Sequence, residues 1–121
     1  MTPTPITLTD KFAHFQDLWN PRIIGELNDQ HITIAKVNGE FIWHRHAGED
    51  ELFMVVQGKL LMDFRDCTEE ILPAQLLVVP CGTEHRPRTE AETWIMMLAP
   101  KTTVNTGEME NERTRRVLEL L

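Results

Sequence analysis

Only two cysteines, Cys67 and Cys81, occur in 121 residues. They are too few, and too far from a C-x-x-C pattern, for a disulfide framework or a thiolate zinc site, so both are expected as reduced thiols. A surplus of positive charge is also missing. Twelve Lys and Arg against nineteen Asp and Glu leave a formal net charge of −7, which argues against nucleic acid as a partner because its binders carry a basic footprint. No run approaches the roughly 20 apolar residues that span a bilayer. The opening M-T-P-T-P-I-T-L-T-D lacks the basic and apolar segments of a secretory signal, so a cytoplasmic protein without a membrane partner is expected. Internal repeats, linkers and low-complexity stretches are absent as well. A chain of this length accommodates one domain with a modest core, expected over residues 1–121 with its core at about 22–100.

What is present is concentrated in the stretch W-H-R-H-A-G-E-D-E-L-F-M-V-V-Q-G from Trp43 to Gly58. In an extended strand alternate side chains share a face, so His44 and His46 project together and Arg45 projects away. After the turn-prone Ala47-Gly48, Glu51 heads the apolar run L-F-M-V-V, which reads as a strand returning beside the first and bringing its carboxylate level with the imidazoles. Glu49 and Asp50 are the competing carboxylates, at less suitable offsets. Imidazole nitrogen and carboxylate oxygen suit a divalent transition ion such as Fe, Mn, Ni or Zn. A further ligand is expected at His85, in V-V-P-C-G-T-E-H, where a strand Leu76 to Val79 ends at Pro80 and Gly82 permits a tight turn.

His44-x-His46, four residues, Glu51, six residues, Gly58, followed by Pro80-x-Gly82-x-x-His85, resembles the two sequence motifs of the cupin superfamily. The pattern departs from the usual one in three places: Ala74 stands where a glycine is customary, Thr89 where an asparagine is, and Gly39 lies one residue closer to the histidines. Ala99 to Gly107 is similar to a stretch with which small single-domain cupins often end. The resemblance implies a double-stranded β-helix, the cupin jelly-roll barrel. It implies metal ligands His44, His46, Glu51 and His85, with Glu51 also a candidate catalytic base.

Read in order, the chain agrees with an all-β fold. Phe12, Phe15 and Trp19 recur at helical spacing between a cap at Thr9 or Asp10 and the stop Asn20-Pro21, predicting a short N-terminal helix with His14 structural or exposed upon it. Arg22–Leu27 and His31–Val37 form a hairpin across Asn28-Asp29. Asn38-Gly39 then predicts a two-residue turn into a strand Phe41 to His46. Glu51–Gln57, Lys59–Phe64, Glu69–Leu72, Leu76–Val79, His85–Thr89 and Thr93–Ala99 complete about nine short strands, the signature of an antiparallel sandwich or barrel. Asn111 can cap a short C-terminal helical tail carrying Val117, Leu118 and Leu121, too short to stand without docking.

Two strands are apolar on both faces: Phe53 and Val55 oppose Leu52, Met54 and Val56, while Ile95 and Met97 oppose Trp94, Met96 and Leu98. One face can fill the barrel. The other, if uncovered, predicts a homodimer through sheet packing, the alternative being cover by the terminal helices of the same chain. Phe41, Ile42, Phe53, Met62, Met96 and Leu98 are expected to line an apolar cavity, with Trp43 and Trp94 as core or interface contacts.

Two functional classes follow. One is a small metalloenzyme of isomerase, lyase or dioxygenase type acting on a compact, oxygen-rich small-molecule substrate. The other is a non-catalytic ligand-binding or sensing module with a structural metal or none. Arg86, Arg88, Glu84 and Cys81, flanking His85, are the candidates for an assisting group.

Overall fold

The computed structural model describes residues 2–121. A short helix α1 (Leu8–Phe12) precedes β1 (Arg22–Leu27), β2 (Gln30–Glu40), β3 (Glu51–Gln57), β4 (Leu60–Phe64), β5 (Thr68–Ile71), β6 (Leu76–Val79), β7 (His85–Pro100) and β8 (Glu119–Leu120). The fold is all-β, and no helix among the described residues is long and apolar enough to cross a membrane.

Strand β7 organises the barrel. Along one edge it pairs with β2 over most of its length, and along the other it pairs first with β4, through His85 to Arg88, and then with β3, through Trp94 to Leu98. One strand therefore serves both layers: β5-β4-β7 on one side and β6-β3-β7 on the other, with β2, β1 and β8 continuing from the opposite edge of β7. The sequence reads this segment as two strands because Glu90 to Glu92 is polar. Those residues are where the edge partner changes, and the pairing to β2 resumes beyond them.

Alternation along β3 and β7 sends Phe53, Val55, Ile95 and Met97 inward, where they meet Val37, Leu60, Met62, Ile71 and Val79 in the main core. Asn38-Gly39 does not turn the chain. It lies inside β2 at a bulge in the pairing to β7, with Gly39 at φ 88°. Thr89, one of the departures from the motif, accepts the Gly39 N–H with its hydroxyl at 3.1 Å, a contact that serves the bulge.

The N-terminal helix is shorter than its aromatic spacing suggests. A helix reaching Trp19 would direct the Trp19 N–H to the Phe15 carbonyl. Lys36 takes both groups: its Nζ donates to Phe15 O at 2.8 Å and its carbonyl accepts the Trp19 N–H at 2.9 Å. Phe12 and Phe15 are buried all the same, Phe12 stacked on Trp94 at 4.8 Å between centroids. His14 is exposed.

The expected C-terminal helical tail is not formed. Asn111 turns its side chain back on the Arg113 N–H at 2.8 Å, and its own N–H donates to Thr114 Oγ1, the local bonding by which Asn competes with a helix. Ten residues of helix would be marginal in any case. The chain instead uses the free edge of β1, where Glu119–Leu120 pairs in parallel with Arg22–Ile23, leaving Val117 89% exposed.

Phe12, Phe15 and Leu121 cover the outer face formed by Ile24, Ile32, Ile34, Val56, Trp94 and Met96. The chain thus covers part of that face itself. The part on β6 and β3 stays open, with Leu76 59% and Val78 48% exposed beside half-buried Leu52 and Met54.

Ala74, the other customary glycine, sits at φ 68°, a left-handed conformation that costs a Cβ-bearing residue roughly 1–2 kcal/mol. Replacing it with glycine removes that strain but loosens the unfolded chain, so Ala74→Gly should raise stability by about 0.5 kcal/mol, measured by urea denaturation.

Candidate metal centre

His44 and His85 are cross-strand partners. Each donates its backbone N–H to the other's carbonyl, at 3.0 and 2.9 Å, so both side chains emerge on one face and their ring centroids lie 4.3 Å apart. Phe41–His46 therefore runs beside the start of β7 rather than beside Glu51, correcting the hairpin read from the sequence. The Gly82 N–H donating to His46 O at 2.7 Å extends the same pairing, and two-residue alternation puts His46 beside His44, with centroids 5.1 Å apart. Glu51 arrives separately, as the first residue of β3 opposite Val79 and on the inward face with Phe53.

The four side chains are buried, and one ligand atom from each lies within 4.8 Å of the others. His46 Nε2 is 3.3 Å and His85 Nε2 3.9 Å from Glu51 Oε1. Ligands held at about 2.1 Å from one ion lie about 3 Å apart when adjacent and about 4.2 Å when opposite, and both distances fall in that interval.

Hydrogen bonding fixes two of the rings. His44 Nδ1 meets Ile42 O at 2.9 Å and His85 Nδ1 meets Thr83 O at 2.8 Å. A carbonyl only accepts, so each Nδ1 carries the proton and each Nε2 presents a lone pair to the centre. Burial, reinforced by the neighbouring His85, pushes the His44 imidazole down to about 4. Burial also lowers His85, so both rings are neutral at pH 7. For His46 burial pulls down, but the Glu51 carboxylate outweighs it and the net shift is upward. His46 Nδ1, His46 Nε2 and His85 Nε2 are buried without a hydrogen-bond partner. Orphaned buried nitrogens are expensive and call for an explanation; for His46 Nε2 and His85 Nε2 a cation accepting their lone pairs is one, and the donor set of three imidazoles and one carboxylate suits it.

The neighbouring groups are engaged elsewhere. Asp50 accepts the Cys81 N–H at 2.8 Å, and Glu49 accepts the Thr102 hydroxyl at 2.6 Å. Arg45 points outward, 3.6 Å from Glu108. Glu84 accepts from Arg65, while Arg86 and Arg88 both donate to buried Asp63. Burial pushes the Asp63 carboxyl up, but the bonds from Arg88, Thr68 and Arg86 outweigh it and hold it at about 2. Cys81 is exposed in its turn. No assisting group from this set reaches the cluster.

A cavity of about 400 Å³, counting the part open to solvent, adjoins His44 and Glu51; Trp19, Phe41, Phe53, Ile95, Met97 and Asn105 are among its walls. Met96 and Leu98, expected there, have the opposite parity and point out with Trp94. Trp43 lies outside under the Arg65 guanidinium at 3.8 Å. Trp19 was hidden from sequence reasoning by its helical spacing. The signal that separates it is its place just before Asn20-Pro21, where a helix cannot run on.

A family model described as "Cupin domain" matches residues 31–109. The chain is 42% identical to a cupin-2 domain containing protein from Shewanella frigidimarina NCIMB 400, with a TM-score of 0.78 over 78% of this chain and 93% of that one. It is 28% identical to protein NMB1881 from Neisseria meningitidis, with a TM-score of 0.73 over 80% and 99% of the respective chains. It is also 44% identical over 71 residues to the uncharacterized protein YdbB of Bacillus subtilis (strain 168), a match covering 58% of this chain and 63% of that relative's length.

Proposed function

Because this chain belongs to the cupin domain family, and its central histidines converge with Glu51 in a buried cluster, we propose that it binds one divalent metal ion through His44, His46, Glu51 and His85. In this reading it acts as a small metalloenzyme on a compact, oxygen-bearing substrate, by isomerase, lyase or dioxygenase chemistry. The observation that carries it is the pair of buried nitrogens His46 Nε2 and His85 Nε2, without hydrogen-bond partners and 3.3 and 3.9 Å from Glu51 Oε1.

When bound, a divalent ion supplies Lewis acidity, polarising a substrate oxygen or lowering the pKa of a water. The chain supplies the rest. Ile42 and Thr83 carbonyls hold His44 and His85 in the tautomer that ligates. Glu51 is the one carboxylate of the cluster, and, released from ligation, it is the base best placed to take a proton from a substrate lying in the cavity it lines. Phe53, Ile95 and Met97 exclude water and strengthen every charge interaction within. A second reading, a non-catalytic ligand-binding or sensing module, draws on the commitment of Arg86 and Arg88 to Asp63 and of Glu84 to Arg65, which leaves Glu51 unassisted.

Elemental analysis of tag-free protein tests the metal: about one equivalent of Fe, Mn, Ni or Zn per chain is expected, and substoichiometric metal after incubation with each would reject the reading. The open apolar face of β6 and β3 leads us to infer a homodimer packed across it, since soluble monomers rarely expose contiguous apolar surface. Light scattering at micromolar concentration should return the mass of two chains; a monomer would refute it.

A further inference from the structure

We propose that the cavity beside Glu51 selects a chelating ligand whose oxygens are confined to one end and whose body is apolar and flat, with Trp19 as the specificity-determining residue. This rests on the metal reading above and goes beyond it in naming the substrate class.

The polarity of the cavity is one-sided. His44 and Glu51 lie together in the four-residue cluster, and Trp19, Phe41, Phe53, Ile95 and Met97 form much of the rest of the lining. Asn105 is the exception, but its amide is in use: Nδ2 donates to Arg113 O at 2.8 Å and Oδ1 accepts the Arg115 N–H at 2.7 Å. The Trp19 indole N–H is spent on Asn38 O at 3.0 Å, so the ring offers the cavity only carbon. No lysine or arginine is among the lining residues. Arg113, 5.3 Å from the Trp19 ring centroid, donates to the Glu40 carbonyl. A phosphate or second carboxylate would thus enter without a counter-charge. Within this cavity each sugar hydroxyl beyond the chelating pair would lose its water without a partner, weakening binding about tenfold or more; His31, Thr33 and the unpartnered Thr103 hydroxyl line the neighbouring cavity on Glu51 instead.

Trp19 is held in place at a cost. It sits at φ 58°, a region in which a bulky side chain is an outlier, and such strain persists only where the surroundings over-determine it. They do so here: the Lys36 carbonyl takes its backbone N–H, Asn38 O takes its indole N–H, and Phe41 stacks on its ring at 4.9 Å. Phe41 meets His44 edge-on at 5.4 Å, so an aromatic wall runs from Trp19 to the proposed ligands.

Hydroxamates isolate the body from the head, because each presents the same oxygen pair. The cobalt(II)-loaded protein is titrated with acetohydroxamate, benzohydroxamate and a polyhydroxyalkyl hydroxamate derived from gluconic acid, followed by the visible cobalt spectrum. Benzohydroxamate should bind at least about tenfold tighter than acetohydroxamate, and the polyhydroxylated compound no tighter than acetohydroxamate. In Trp19→Ala the phenyl advantage should fall below threefold while acetohydroxamate binding is retained. Phe41→Leu, which keeps apolar volume, should lower the advantage as well. Equal affinities, no binding by any of the three, or preference for the polyhydroxylated compound would overturn the inference while leaving the metal reading intact. An undiminished advantage in folded Trp19→Ala would overturn the role of Trp19. Failure to retain cobalt at all would overturn the metal reading and this inference with it. If Trp19→Ala does not fold, the wild-type series still decides the substrate class and Phe41→Leu the aromatic wall.

Discussion

His85→Ala should lose stoichiometric metal, with affinity falling by more than the roughly 10–100-fold that follows removal of a group that merely orients a ligand. His85 contributes twice. Its side chain is fully buried within the four-residue cluster, and its backbone pairs with His44 to set both rings on one face. Alanine keeps the backbone pairing and removes only the imidazole. The metal-free variant should therefore retain its β circular dichroism while metal no longer protects it. A ligand at a hundred times its Kd stabilises by about 2.7 kcal/mol, which for a domain of this size is a rise in melting temperature on the order of 10 °C. Wild type should show that rise on adding metal and His85→Ala should not. An equal rise in both would place the metal elsewhere.

Gly107→Ala should be the most damaging glycine substitution near the site. Gly107 has φ 62°, and a Cβ built on it would lie 2.1 Å from the Arg45 carbonyl oxygen and 2.9 Å from its carbon. Those are backbone atoms of the residue between His44 and His46, with no flexible tip to swing aside. The left-handed backbone alone costs alanine about 1–2 kcal/mol, and the contact cannot be held without moving either the histidine segment or the turns that follow Pro100. Those turns are tied together by Asn105 to Arg113 and Arg115, and by buried Thr106 to Met109 and Thr114. Release of the whole segment is the expected response, seen as rapid proteolysis within residues 101–118 and a loss of at least about 2 kcal/mol in urea denaturation. Gly48→Ala, whose Cβ meets nothing within 4 Å, is the control and should change stability by less than about 0.5 kcal/mol.

The grouping along β3 was legible from period two alone, which puts Glu51, Phe53 and Val55 on one side and Leu52, Met54 and Val56 on the other, although both sides carry apolar residues. His44 and His46 were legible for the same reason. What period two does not disclose is the neighbour. Glu51 is expected level with the histidines as the hairpin partner of their strand, whereas β3 pairs with β6 and β7, and the backbone partner of His44 is His85, 41 positions along the chain. The terminal segments failed for a related reason. Phe12, Phe15 and Trp19 have helical spacing, but Lys36 of β2 claims the Phe15 carbonyl and the Trp19 N–H. Val117, Leu118 and Leu121 have it too, yet the free edge of β1 takes Glu119–Leu120. Local pattern is a weak vote when a sheet offers main-chain partners. Ala74 and Thr89 show the converse, since departures from the expected motif mark a strained left-handed turn and a side-chain contact to a bulge.

X-ray absorption at the metal edge of the reconstituted protein tests the central claim most directly. Backscattering from three imidazole rings at about 2.0–2.2 Å, together with a carboxylate oxygen, is predicted, and one imidazole contribution should vanish in His46→Ala. A spectrum of water or carboxylate oxygens without imidazole, unchanged by that substitution, would contradict it.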